Sequence, residues 1–209
     1  MGNLKPNIGI IGNGFVGSAI AHGFSLHANI KIYDLDPNKS TNTIEEVVNN
    51  SEFIFVSVPT PMKKILGGNI DTTILYTAFD NISKVNKRKD NIFIVKSTVT
   101  PGTMEGLISS YESLNIIHSP EFLTERSARL DFINASRIIL GGHEVLNNKV
   151  ESLFRYRFPY VKIIKTDVTT AQFVKYMANC FFATKVSFMN EMYQVCEAIG
   201  GDWDSALDG

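Results

Sequence analysis

Seven short apolar runs punctuate the sequence: NIGIIG, IKIYD, FIFVSV, NIFIVKS, LNIIHS, RIILGG and VKIIKT. Each is rich in Ile, Val or Phe and shows little polar alternation, as expected of strands buried on both faces of a parallel sheet. Segments of helical spacing separate them: FVGSAIAHGFSLH, TNTIEEVVNN, DTTILYTAFDNISKV, GTMEGLISSYES and EVLNNKVESLFRYR. The β-α-β-α alternation predicts an α/β fold, a doubly wound and mostly parallel sheet with helices on both sides.

Beyond residue 166 the pattern changes. Thr169 to Ile199 predicts one helix of about thirty residues, roughly 45 Å long, stopped by Gly200-Gly201. Apolar residues surround it almost completely, among them Phe173, Val174, Met177, Phe181, Phe182, Val186, Phe188 and Met192. Such a helix needs partners on most faces, and GGDWDSALDG, the residues after it, are too few to supply them. The expected organisation is therefore a first domain over 1–166 and, over 167–209, a long helix that opens a second unit. Its cover would be the first domain, a further domain, or a second copy of the chain, which makes a homodimer the expected assembly.

Composition excludes several classes of function. With 20 basic against 21 acidic residues, a net charge of −1 and no basic tract, the chain lacks the electrostatic footprint of a nucleic-acid binder. Apolar runs break well short of the ~18 residues that a membrane span requires. No signal-peptide-type run precedes the first strand, so a cytoplasmic protein is expected. Cys180 and Cys196 lie on the one predicted helix about 24 Å apart, too far to bridge and without metal-ligand spacing. No metal site is expected.

The chemistry begins with NIGIIGNGFVGSAI, which sets Gly12, Gly14 and Gly17 in GxGxxG spacing between a strand and a helix. The first glycine permits the tight turn, the second lets a pyrophosphate approach the backbone, and the third lets helix and strand lie close. The helix N-terminus then favours the anion, with Phe15 and Val16 in the same turn. The next strand ends in Asp34, where a carboxylate can accept from ribose hydroxyls and would repel a 2′-phosphate. The combination predicts a Rossmann-type domain that binds NAD rather than NADP. Three further strand ends carry polar residues toward the same crevice: VPTP with Thr60, KSTVTPGT with Thr98, and HSPEFLTERSA with Glu121 and Glu125.

Taken in order, GNGFVG, YDLD, VPTP, KSTVTPGT, SPEFLTE, NASRIILGG and FVKYMANCFFATKVSFMNE resemble the N-terminal half of the UDP-glucose/GDP-mannose dehydrogenase family. Members oxidise the C6 alcohol of a nucleotide sugar to a carboxylate with two NAD⁺, through an aldehyde held on a cysteine. The resemblance implies a nucleotide sugar, most simply a UDP-sugar, as substrate. It implies that Gly12, Gly14, Gly17 and Asp34 cradle the cofactor with Lys39 beside the adenosine ribose, and that Thr60 and Thr98 line the nicotinamide side. Thr98 would also hold a catalytic water. Glu125 would contact the cofactor and assist proton transfer and hydrolysis, the main chain of Glu121, Phe122 and Leu123 would meet the sugar, and Lys175 with Asn179 would stabilise the developing oxyanion.

Helical geometry supports the last pair, since residues four apart lie within about 40° of each other on one face. Cys180, five residues from Lys175, points about 140° away and is a poor nucleophile candidate. The family's cysteine comes from a GGxCFxKD segment that does not occur before Gly209, so the chain is expected to lack part of the machinery. Only DPNKSTNTIEEVVNNSE separates Asp34 from FIFVSV, room for one helix where the family usually adds a strand as well. Two other readings stay open: a non-catalytic NAD-binding module that works through its long helix, and a 3-hydroxyacid dehydrogenase of the 6-phosphogluconate type, which shares the K-x-x-x-N spacing.

Overall fold

The structure, a computed structural model, describes residues 5–63 and 69–209. All seven apolar runs are strands: β1 (Asn7–Ile11), β2 (Asn29–Tyr33), β3 (Phe53–Val56), β4 (Ile92–Val95), β5 (Asn115–His118), β6 (Arg137–Gly141) and β7 (Lys162–Thr166). They form one sheet in the order β2-β1-β3-β4-β5-β6-β7. Every pairing is parallel except β5 with β6. The helices are α1 (Phe15–Phe24), α2 (Ile44–Asn49), α3 (Thr73–Val85), α4 (Thr103–Ser110), α5 (Ala128–Ile133), α6 (Glu144–Arg157), α7 (Val168–Ala198) and α8 (Trp203–Asp208). Between β2 and β3 lie a 3-10 turn at Pro37–Lys39 and α2, which leaves β2 at the edge of the sheet.

Because the strands are covered on both sides, successive residues feed two cores. One face packs Ile8, Ile10, Phe55 and Ile94 under α1, α5 and α6. Phe24 is its centre, with ring centroids 6.1 Å from Phe55, 6.0 Å from Phe132 and 6.0 Å from Phe154. The other face packs Ile54, Val56, Phe93 and Val95 under α2, α3 and α4. A buried Phe or Ile contributes roughly 1.5–3 kcal/mol, so these two layers hold the strand ends in place for whatever binds there.

The sheet reverses at one point. β5 and β6 meet through a single pair, His118 opposite Gly141, each the last residue of its strand. The body of β6 therefore lies beyond the carboxyl end of β5 and, with β7, extends the sheet past the crevice. α7 starts where β7 ends, capped by Asp167, whose Oδ1 accepts from Thr170 N at 2.7 Å. Gln172 anchors its second turn: Oε1 accepts from Met104 N at 3.0 Å, and Nε2 donates to Glu105 Oε2 at 2.8 Å. Gly141 sets the height of the helix, for a Cβ there would lie 2.3 Å from Ala171 Cβ and 2.9 Å from Asp167 O.

Two findings depart from the sequence reading. α5 and α8 were not expected; α8 folds back so that Trp203 meets Tyr193 edge-on at 5.4 Å. Of the covers considered for the long helix, the first domain supplies little, since only Ala171, Gln172 and Lys175 are buried. Phe173, Met177, Phe181, Phe182, Val186 and Phe188 are all exposed.

Gly141→Ala is expected to force α7 off β6 at a cost of about 2 kcal/mol, within the usual range for overpacking. A chain of this size should then melt roughly 4–8 °C lower. An unchanged thermal midpoint would show that the contact is not what sets the helix.

Candidate cofactor and substrate site

Five parallel strands end on one side of the sheet, and their last residues build a single cleft. The glycine loop follows β1. Gly12 has φ +91°, and a Cβ on it would lie 2.6 Å from Ser57 O. A Cβ on Gly17 would lie 2.0 Å from Gly12 O, so α1 packs against the turn that begins it. Among the described residues nothing lies within 4 Å of a Cβ on Gly14, which leaves open space there in front of the helix N-terminus. That is where an anion is favoured.

At the end of β2 the Asp34 carboxylate is held by backbone donors, Oδ2 accepting from Asn13 N at 2.6 Å and Oδ1 from Asp36 N at 2.9 Å. Lys39 contributes its carbonyl to the same corner, accepting from Asn13 Nδ2 at 2.8 Å. Its ammonium is exposed, 3.9 Å from Asp36. Hydroxyls stitch the next strand ends together: Ser57 Oγ to Gly12 O at 2.8 Å, Ser97 Oγ to Val58 O at 2.7 Å, and Thr60 Oγ1 to Thr98 O at 2.6 Å.

The resulting cleft, about 520 Å³, is lined by Gly12, Gly14, Phe15, Val16, Asp34, Lys39, Thr60, Lys96, Thr98 and Glu121 among others. A second cavity of about 280 Å³ shares Gly12, Asp34, Val58 and Pro59 with it and is walled by Tyr33, Leu35, Ile44 and Ile74. The sequence reading missed this apolar slot, because its walls come from α2 and α3 as well as β2. An NAD molecule fits the chemistry of these surfaces: an apolar slot for adenine, a carboxylate at the ribose, open space and free amides for pyrophosphate, and hydroxyls at the nicotinamide end.

At that end the cleft meets α7. Lys175 Nζ donates to Glu121 Oε1 at 2.9 Å, with side chains only 8% and 10% exposed. The lysine does not reach for solvent. The other oxygen of Glu121 accepts from Leu123 N at 2.6 Å. Two cations lie close to the Phe122 ring, Arg137 at 4.6 Å and Lys175 at 5.5 Å from its centroid. The sequence reading gave Glu121 a role through its main chain, and here its side chain is the partner of Lys175. Asn179 is exposed one turn further along α7, Cys180 is exposed, and Glu125 is exposed in the turn before α5. None of the three lines the cleft.

Two buried groups beneath the site escaped the sequence reading. Lys96 follows β4 and is buried, donating to Ser119 Oγ and Pro120 O, each at 3.2 Å. Burial lowers its pKa to about 8 against the pull of Glu121, with Lys175 adding to the fall. His118 is fully buried, and neither ring nitrogen has a hydrogen-bond partner among the described residues. Burial, helped by the Lys96 charge, pushes its pKa down to about 3.

Known sequences and structures place this architecture. Residues 37–156 match the NAD binding domain of the UDP-glucose/GDP-mannose dehydrogenase family, and residues 169–209 match its central domain. The chain belongs to this family. UDP-glucose 6-dehydrogenase of Rickettsia conorii is 37% identical over 174 residues, which cover 80% of this chain and 39% of that protein. UDP-glucose 6-dehydrogenase YwqF of Bacillus subtilis is 36% identical over 174 residues, 79% of this chain and 38% of its own length. The chain thus spans about two fifths of these curated relatives. Among solved structures, GDP-mannose dehydrogenase from Pseudomonas aeruginosa superposes with a TM-score of 0.86 at 22% identity, over 97% of this chain and 56% of that one. UDP-glucose dehydrogenase from Pyrobaculum islandicum gives 0.83 at 24% identity, over 99% and 56%. These two likenesses establish the shared fold.

As a member of the family the chain takes NAD as its cofactor. Asp34→Ala, which removes the carboxylate at the end of β2, is expected to weaken NAD⁺ binding at least about tenfold, the value of one hydrogen bond to a charged group. Lys175→Ala should weaken it less than about threefold. Equal losses in a calorimetric titration would contradict the separate roles.

His118 gives the fold an acid limit. Its folded pKa lies below the ordinary 6.5, so the unfolded chain binds the extra proton first. Stability held above pH 6.5 is therefore lost as pH falls toward 3, by up to about 1.4 kcal/mol per pH unit. His118→Phe is expected to flatten the denaturation profile over that window relative to wild type, and parallel profiles would assign the acid limit elsewhere.

Proposed function

We propose that the chain forms the cofactor half of an enzyme that oxidises the C6 alcohol of a nucleotide sugar, with a UDP-sugar of the glucose type as substrate. The relatives named UDP-glucose 6-dehydrogenase support the substrate. The observation that carries the chemistry is the buried Lys175–Glu121 pair, which joins the floor of the cofactor cleft to the first helix of the central domain. A dry, fixed ammonium beside a cofactor cleft can stabilise negative charge as it develops on an oxygen.

In this reading NAD⁺, when bound, would supply the hydride acceptor for C6. Lys175 donates a hydrogen bond to the C6 oxygen while that oxygen's proton passes to solvent with Glu125 assisting, and Glu121 holds the ammonium in place. Asn179 adds a second donor one turn along, Thr98 holds a water, and Glu125 assists proton transfer and hydrolysis. Asn179 and Glu125 would meet ligand only once substrate is bound. The main chain of Glu121 to Leu123 would contact the sugar. The division between the two units falls at 166/167, and a second copy of the chain covers the exposed apolar length of α7. The protein would work in the cytoplasm.

The test is NADH formation by the 209-residue chain with UDP-glucose, UDP-GlcNAc, UDP-ManNAc and GDP-mannose. UDP-glucose is expected to react best, with Lys175→Ala at least about 100-fold slower, as for loss of an oxyanion donor. The yield should be one NADH per sugar. Cys180 lies on another face of α7 from Lys175, and Cys196 lies roughly 30 Å further along it. Two NADH per sugar would reveal an active thiol. NAD⁺ binding without NADH from any of the four would overturn turnover by this chain and leave a cofactor domain that needs the rest of its enzyme, or a binding module.

A further inference from the structure

Among the described residues, Lys96 brings a charge into the interior without an anion of its own. It follows four buried residues, Ile92 to Val95, on a central strand, and it is only 5% exposed. Both of its acceptors, Ser119 Oγ and Pro120 O, are neutral. The nearby Glu121 carboxylate is already engaged, one oxygen by Lys175 and the other by Leu123 N. A buried ammonium on neutral acceptors is costly, and an apolar side chain of the same length would be the more stable occupant. Nor does the sheet need it, since Ser119 N already donates to Val95 O at 2.9 Å and completes the ladder between β4 and β5.

What Lys96 does hold is the pair of residues immediately before Glu121. Proline has no N–H, so the turn at Pro120 cannot be tied through that position's nitrogen. Its carbonyl is tied instead, from below, by the Lys96 ammonium. We propose that Lys96 is a positioning residue for the Glu121–Lys175 pair: by gripping Ser119 and Pro120 it fixes the carboxylate at the height where α7 presents Lys175 to the cleft. The proposal deepens the dehydrogenase reading and rests on it. Three rigid elements, β4, the end of β5 and α7, are joined in sequence through Lys96, Glu121 and Lys175. Burial lowers the Lys96 pKa only to about 8, so the ammonium persists at neutral pH.

The test reads the freedom of Lys175 directly. Its Nζ is labelled with an amine-reactive ester and the extent at each lysine is followed by mass spectrometry. Lys96→Met, which keeps length and loses the donor, is expected to speed labelling of Lys175 at least fivefold while the exposed Lys39 and Lys165 react at wild-type rates. Glu121→Gln should give a similar gain, and the double variant no more than the larger single one. Lys96→Arg should return the rate to within twofold of wild type, which general loosening of the fold would not allow. Should Lys96→Met fail to fold, Ser119→Ala removes one acceptor and is expected to speed labelling about twofold. A folded Lys96→Met with Lys175 as slow as wild type, additive gains in the double variant, or no rescue by arginine would each overturn the proposal. NADH formation by the wild-type chain is measured alongside. Its absence would rule out turnover by this chain alone, while the labelling rates would still decide whether Lys96 positions the pair.

Discussion

The peptide of Gly12 is the contact on which the rest of the structure depends. Its N–H donates to Tyr33 O at 2.9 Å, tying β1 to the end of β2. Its carbonyl accepts from Ser57 Oγ at 2.8 Å, tying β1 to the end of β3. The same carbonyl leaves no room for a side chain on Gly17, so α1 lies directly on the turn. One backbone unit with a positive φ thus fixes three strand ends and a helix start. The cofactor cleft follows from that convergence, because the amides, the Asp34 carboxylate and the Thr60 hydroxyl all hang from these ends.

The second constraint is the reversal between β5 and β6. A sheet that stayed parallel would have sent the last helix back along its face. Here β6 and β7 extend beyond the strand ends, and α7 rises past the crevice instead. Gly141 brings it close to β6, Gln172 pins it to α4, and Lys175 arrives over Glu121 one turn later. The geometry explains why a lysine on an otherwise apolar helix is buried near its start. Beyond that turn α7 leaves the domain, and its aromatic residues wait for the cover that the central domain or a second copy would supply.

Much of the fold was legible in the residues because buried parallel strands read as unbroken apolar runs, and all seven appear where such runs occur. The edge position of β2 was implied by the short connection after Asp34. α5 was not legible: Arg129 and Asp131 interrupt a six-residue segment, and what holds it is tertiary, the Phe132 ring against Phe24 and against a bare Gly23. Nor was the reversal, since a strand buried on both faces looks the same in either direction. In the site, Gly12, Gly14, Asp34, Thr60 and Thr98 share one cleft, and Lys175 reaches it through Glu121. The Glu121 side chain could not be assigned in advance, because its partner is set by the height of α7. Lys96 did leave a signal, a charge directly after IFIV, and its meaning emerges only with the packing of Pro120. The family match places the chain with the UDP-glucose/GDP-mannose dehydrogenases, a membership that the K-x-x-x-N spacing alone could not assign.

A crystal structure of the chain with NAD⁺ tests the account most directly. Adenine is expected against Tyr33, Ile44 and Ile74, the ribose hydroxyls on Asp34, the pyrophosphate over Gly14, and the nicotinamide beside Thr60 and Thr98, facing Lys175. Adenine seated instead behind Phe122, or a pyrophosphate away from the start of α1, would contradict the account.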